Sequence, residues 1–68
     1  MKSLSGKEFT RILEKRGWVL KRVHGSHHVY VKEGSPARIT VPVHGSKALK
    51  KGLLLHLMKV AGLGEADL

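Results

Sequence analysis

The chain has 68 residues and no cysteine, and its 13 Lys and Arg outnumber its 5 Asp and Glu to give a formal net charge of +8. This length predicts one domain, residues 1–68, with a small core and no deep substrate cavity. The lack of cysteine excludes disulfides, thiolate metal ligands and a cysteine nucleophile. No apolar run reaches the roughly 20 residues of a membrane span, and "MKSLSGKEF" lacks the apolar segment of a secretory signal. We therefore expect a soluble, cytoplasmic protein whose charge favours a polyanionic partner such as RNA, DNA or an acidic protein.

The first predicted element is a helix that begins after Ser5. Ser5 and Glu8 have the S-x-x-E spacing of a capping box, in which each side chain bonds the backbone N–H of the other residue. Apolar residues then recur at helical spacing: Phe9, Ile12 and Leu13. Gly17 is typical of the residue just beyond a helix.

Beyond this helix the residue pattern repeats every two positions, which predicts strands. "WVLKRVH" (18–24) and "HHVYVK" (27–32) are rich in β-branched and aromatic residues, and the pair Gly25-Ser26 between them suits a type II′ hairpin turn. "RITV" predicts a third strand that ends at Pro42, because proline lacks the N–H that a central strand would need.

Residues 47–61 predict a second helix that stops at Gly62, followed by a frayed tail, "GEADL". Leu55 should point outward, and the inward stripe is expected to contain Leu49, Leu53, Leu57 and Val60. The order α-β-β-β-α predicts an α+β fold, a three-stranded antiparallel sheet with both helices on one face. The other sheet face would stay open to solvent or a ligand.

The hairpin turn fixes an expected register, with His24 opposite His27 and Lys21 opposite Tyr30. One face would hold the large apolar residues and pack on the helices: Trp18, Leu20, Val29 and Val31, together with His24 and His27. The opposite, open face would hold Val19, Lys21, Val23, His28, Tyr30 and Lys32. In the third strand, Ile39 and Val41 suit the core, and Arg38 and Thr40 suit the open face.

This register predicts two functional surfaces. The open face would attract phosphates through Lys21, Lys32 and Arg38, with Tyr30 as a stacking platform for a base. His27 would lie at the turn end of the core face, half under the helices, where its orientation and proton affinity can be adjusted.

The histidines of "HGSHHVYV" allow several interpretations. A metal site conflicts with strand geometry, because adjacent residues such as His27 and His28 point to opposite faces. A structural role, in which the imidazole bonds nearby carbonyls, suits His24 and His56, and His44 suits a loop contact. The third interpretation is acid/base chemistry on RNA, which carries its own nucleophile in the 2′-OH. Lysine and arginine would supply positive charge near the phosphate.

The sequence resembles the HicA toxins of bacterial type II toxin–antitoxin systems. The resemblance runs from "FTRILEKRGWVLKRVHGSHHVYVK" through "ITVPVHGSKALKKGLLLHLMKVAGL", and its most specific features are the Gly-Trp, the "GSHH", the "VPVH" and the closing "AGL". It implies a fold similar to double-stranded-RNA-binding domains, and an mRNA interferase that inhibits translation and is neutralised by a HicB antitoxin. It also implies that the functional histidine lies in the G-S-H or G-S-x-H motif, which here fits both His27 and His28.

Together these observations predict an mRNA endoribonuclease that needs neither metal nor other cofactor. His27 is the expected general acid/base, and His28 is the alternative. Gly25 and Ser26 would shape the loop, with phosphate contacts from Lys21, Arg22, Lys32 and Arg38. An acidic HicB-like antitoxin is expected to cover the "GSHH" loop. A small RNA-binding domain without catalytic activity is the alternative function.

Overall fold

Helix α1 spans Gly6–Lys15 in the computed structural model, which describes residues 3–68. Met1 and Lys2, the first residues of the stretch "MKSLSGKEF", lie outside this range. The predicted capping box is confirmed: the Glu8 amide donates to Ser5 Oγ at 3.1 Å, and the Ser5 amide donates to Glu8 Oε1 at 2.9 Å. Gly17 follows the helix with a φ of 92°. The predicted start and end of this helix are therefore both confirmed.

Three antiparallel strands follow, β1 (Val19–His24), β2 (His27–Val31) and β3 (Arg38–Pro42), in the order β1-β2-β3. Gly25 and Ser26 form the predicted two-residue turn, since His24 pairs with His27. Gly25 has a φ of 61°, and no residue other than glycine has a positive φ between residues 3 and 68. Positive φ at the first turn position alone is the pattern of a type II′ turn.

The register of β1 on β2 departs from the prediction beyond Arg22. Arg22 pairs with Val29 as expected, but Leu20 pairs with Tyr30, so Lys21 is the extra residue of a β-bulge. The predicted pairing of Lys21 with Tyr30 is therefore wrong. Because one extra residue reverses the alternation of side chains, Leu20 shares a face with Tyr30 and not with Val29.

The bulge explains why the two faces of β2 are the reverse of those predicted. Tyr30 pairs with Ile39 and His28 pairs with Val41, so Tyr30 and His28 lie on the face that contains the buried Ile39 and Val41. His27 and Val29 lie on the opposite, open face. The predictions for β3 are confirmed: Ile39 and Val41 are buried, while Arg38 and Thr40 are exposed.

Both helices cover this one face of the sheet. A single cluster of buried side chains joins residues of both helices to residues of the sheet: Leu4, Phe9, Leu13, Trp18, Tyr30, Ile39, Val41, Leu49, Leu54, Leu57 and Met58. The predicted α+β architecture is thus present: α-β-β-β-α with a three-stranded antiparallel sheet.

Helix α2 spans Lys51–Ala61 and begins four residues later than predicted. The preceding backbone has other partners: Ala48 forms a bridge with Ser5, and the Leu49 amide donates to the Leu4 carbonyl at 2.7 Å. These contacts join the segment before α2 to the start of α1. The buried residues of α2 are Leu54, Leu57 and Met58.

The inward stripe predicted for α2 is correct only in part. Leu57 is buried, and Leu49 is buried just ahead of the helix, but Val60 is exposed and Leu53 is half-buried. Leu55 is exposed, as predicted.

The prediction of a frayed C-terminal tail is wrong for this structure. Residues Glu65–Asp67 form a short 3-10 helix, and Asp67 forms an ion pair with Arg16 at the end of α1. Leu68 packs against the core. Within residues 3–68, no helix is both long and apolar enough to cross a membrane.

Candidate functional site

Four of the five histidines lie on segments that meet at one end of the sheet. His24 and His27 flank the Gly25-Ser26 turn, and His28 follows in β2. His44 comes just after β3, whose last residue, Pro42, pairs with His27. The two-residue turn is responsible for this concentration, because it folds β2 directly back along β1. His56 lies apart from them, exposed on α2.

His27 and His28 face different environments. His27 is exposed on the open sheet face, beside its cross-strand partner His24. His28 is half-buried on the face that the helices cover. The sequence predicts the partly covered environment for His27, and this prediction is wrong because the β2 faces are reversed.

His28 lines an open cleft between the sheet and the start of α1, with a volume of about 750 Å³. Lys7 and Arg11 contribute positive charge to its wall, and Gly45 and Ser46 contribute the loop after β3. The cleft therefore combines a histidine, two cations and the backbone of a loop with one carboxylate, that of Glu8, which accepts a hydrogen bond from the Ser5 amide. This combination suits an anionic group such as a phosphate.

The loop after β3 is attached to the hairpin turn. The Val43 amide donates to the Ser26 carbonyl at 2.7 Å, which extends the pairing of β3 beyond Pro42. Ser26 Oγ lies 3.5 Å from His44 Nε2. The expectation of a loop contact for His44 is therefore correct, and this contact joins the "GSHH" and "VPVH" segments in space.

The predicted phosphate-binding cations do not form one group. Lys21 is exposed in the bulge, and Arg22 is exposed on the open face near the turn. Lys32 lies over the Trp18 ring, 5.9 Å from its centre. Arg38 pairs with Val31 at the end of the sheet that is distant from the turn. Of these four residues, Arg22 lies nearest to the histidine pair His24 and His27 along the strands.

Tyr30 is not available for stacking with a base. Its side chain is 2% exposed and belongs to the core, and its hydroxyl donates to Glu14 Oε2 at 3.2 Å. Burial raises the pKa of the phenol, the Thr10 hydroxyl lowers it, and the Glu14 carboxylate raises it further. The prediction that Tyr30 lies on an exposed RNA-binding face is therefore wrong.

Lys7 and Arg11 line the cleft although the sequence pattern does not predict them as site residues. Their spacing of four residues puts both on one side of a helix, which is the signal that could have found them. Their position beside His28 depends on how α1 packs on the sheet, and the sequence pattern does not contain that information.

Metal-binding side chains do not converge in the part of the chain that the structure describes. No group of three or more His, Asp or Glu side chains is arranged to hold an ion there. His27 and His28, as neighbours on a strand, point away from each other.

Comparison with known proteins identifies the family. No curated protein matches the chain. The family model described as HicA toxin of bacterial toxin-antitoxin matches residues 6–63, a range that begins with α1 and ends just beyond α2. It includes the hairpin turn, the cleft beside His28 and the loop with His44. The chain belongs to the HicA toxin family of bacterial toxin–antitoxin systems.

Proposed function

We propose that this toxin is an mRNA interferase, an endoribonuclease that cleaves mRNA and thereby inhibits translation. The observation that supports this proposal is the cleft beside His28, in which an imidazole lies with Lys7 and Arg11. A net charge of +8 favours binding of a polyanion. Membership of a toxin family supports the biological role.

His28 is our preferred general acid/base, and His27 is the alternative. The sequence predicts a partly covered position for the general acid/base, and His28 has that position. A partly buried imidazole keeps a defined orientation, whereas the exposed His27 side chain has more freedom. Arg22 and the exposed His24 would accompany His27 if the open face were the site.

The proposed reaction uses the 2′-OH of RNA as its nucleophile. A neutral imidazole accepts the 2′-OH proton, the 2′ oxygen attacks the adjacent phosphorus, and the P–O5′ bond breaks as O5′ takes up a proton from solvent water. The imidazolium then returns its proton to the solvent, which restores the neutral imidazole. Lys7 and Arg11 stabilise the negative charge that develops on the phosphate oxygens. The products carry a 2′,3′-cyclic phosphate and a 5′-OH, and no step in this scheme needs a metal ion.

The test compares His28→Gln with His27→Gln, because glutamine retains hydrogen bonding but cannot transfer a proton at neutral pH. Purified proteins are incubated with a long single-stranded RNA in EDTA, and fragment ends are analysed. We expect His28→Gln to lower the cleavage rate by about 10²-fold or more. His27→Gln should lower it by less than about tenfold, since its imidazole would not take part in the proton transfer.

Circular dichroism of both variants checks that the fold is unchanged. Loss of cleavage in His27→Gln alone would assign the reaction to the open face. Full activity in both variants would contradict a mechanism in which His27 or His28 transfers the proton. RNA that the wild-type protein retards on a gel but leaves intact would indicate a small RNA-binding domain and overturn the nuclease proposal.

A further inference from the structure

Strand β1 (Val19–His24) is the least covered element of the sheet. All six of its residues are exposed, including three large apolar side chains: Val19 at 62%, Val23 at 53% and Leu20 at 40%. Exposed apolar residues are common singly, but three on one short strand indicate that the strand itself is an interaction element.

β1 is also an edge strand. It pairs with β2 on one side, and residues 3–68 supply no strand on its other side. Its outward N–H and C=O groups can therefore accept an added strand. The other edge of the sheet is partly covered, because Gly6 of α1 lies directly against the Pro42 carbonyl at the end of β3.

The apolar side chains of β1 lie on both faces of the sheet. Val19 pairs with Val31 on the open face, whereas Val23 pairs with His28 on the helix-covered face. A partner strand beside β1 would therefore meet apolar side chains above and below the sheet. It would also lie next to the Gly25-Ser26 turn, where β1 ends.

Charge identifies the kind of partner. Lys21 and Arg22 are exposed in the middle of β1, and the whole chain has a net charge of +8. A second copy of this chain would bring like charges together at the β1 edge, which is unfavourable. RNA would neutralise the cations but would not bury the apolar side chains of Val19, Leu20 and Val23. An acidic protein strand with apolar side chains would both neutralise the cations and bury these apolar side chains.

We propose that the β1 edge is the docking site of an acidic partner protein, the antitoxin that membership of this family implies, which adds a strand to the sheet. The proposal does not rest on RNA cleavage, since it concerns binding of a protein. Family membership implies that a partner exists, and the proposal specifies the surface that this partner binds and the way in which it binds.

The experiment measures binding of the purified cognate antitoxin to the full-length toxin by calorimetry. Val23→Glu removes an exposed apolar contact and adds a charge that repels an acidic partner. Leu55→Glu is the matched control, because Leu55 is 46% exposed on α2, away from β1. We expect Val23→Glu to weaken binding at least about tenfold, and Leu55→Glu to change it less than about twofold.

Hydrogen exchange provides a second measurement that does not depend on a variant. Amides of residues 19–24 should become protected in the complex, as expected for a strand that gains a neighbour. Unchanged binding by Val23→Glu, unchanged exchange in β1, or a larger effect of Leu55→Glu would each overturn the proposal. Dimerisation of the isolated toxin through β1, or loss of RNA binding alone in Val23→Glu, would assign the edge to another partner.

Discussion

At the scale of single residues, Tyr30 shows how burial and a charged neighbour change a side chain's role. The ring is buried in the core, and its hydroxyl reaches Glu14 on α1. The same hydroxyl would be an ordinary surface group if β2 were turned over. Tyr30 therefore links β2 to α1, and its ring is not exposed for stacking.

This environment predicts a measurable titration. Burial raises the pKa of Tyr30 above its ordinary value of 10.0, so the neutral phenol stabilises the folded state. That stabilisation is fully present below pH 10 and is lost as pH rises through the folded-state pKa. Tyr30 is the only tyrosine, so phenolate absorbance reports it directly.

We expect the absorbance midpoint of the native protein to lie above that of the protein in concentrated urea. Tyr30→Phe is the control, because it removes the phenolate signal and leaves the ring in place. Equal midpoints in the two states would contradict the proposed burial.

At the scale of elements, the two helices differ in how closely they approach the rest of the chain. Gly6, the first residue of α1, is buried against Pro42 and Val43, and a Cβ added there would overlap the Pro42 carbonyl oxygen. Gly52, the second residue of α2, is exposed, and an added Cβ meets no described atom within 4 Å besides its chain neighbours and the backbone of its own helix. The same residue type thus has a packing role in one helix only.

Substituting each glycine by alanine should therefore change stability in opposite directions. Alanine favours a helix over glycine by up to about 1 kcal/mol, so Gly52→Ala should raise the free energy of unfolding by up to that amount. Gly6→Ala should lower it by about 1–3 kcal/mol, because the overlap with Pro42 forces the backbone apart. Urea unfolding followed by the fluorescence of Trp18 measures both changes. A stabilising Gly6→Ala would show that α1 does not pack closely on β3.

At the scale of the whole molecule, the dominant property is the net charge of +8 on 68 residues. The basic residues are distributed along the chain and lie on different sides of the sheet, with Lys7 on α1 and Arg22 on the open face. Long-range attraction therefore speeds association with any acidic partner, whereas short-range apolar contacts hold the complex together.

Added salt should separate these two effects. Because salt shortens the Debye length from about 10 Å at 0.1 M to about 3 Å at 1 M, the association rate of toxin and antitoxin should fall at least about tenfold across that range. The dissociation rate should change much less, since Val19 and Val23 are uncharged. Surface plasmon resonance at several salt concentrations measures both rates. An association rate that does not respond to salt would contradict the electrostatic part of the prediction.

The sequence alone was sufficient to predict the features that depend on near neighbours. The capping box of Ser5 and Glu8, the two-residue turn at Gly25, and the order of helices and strands all follow from local spacing and backbone preference. The family also follows from the sequence, because its motifs are continuous stretches. These features need no information about packing.

Tertiary structure decided which face of the hairpin meets the helices. A bulge at Lys21 leaves no clear mark in the sequence, yet it reverses the alternation of every residue on its far side. Tyr30 and His28 consequently turn toward the helices, and His27 turns to the open face. The cleft beside His28 exists only because α1 brings Lys7 and Arg11 to that face. Local sequence sets the elements, but a shift of one residue, together with long-range packing, decides which side chains meet.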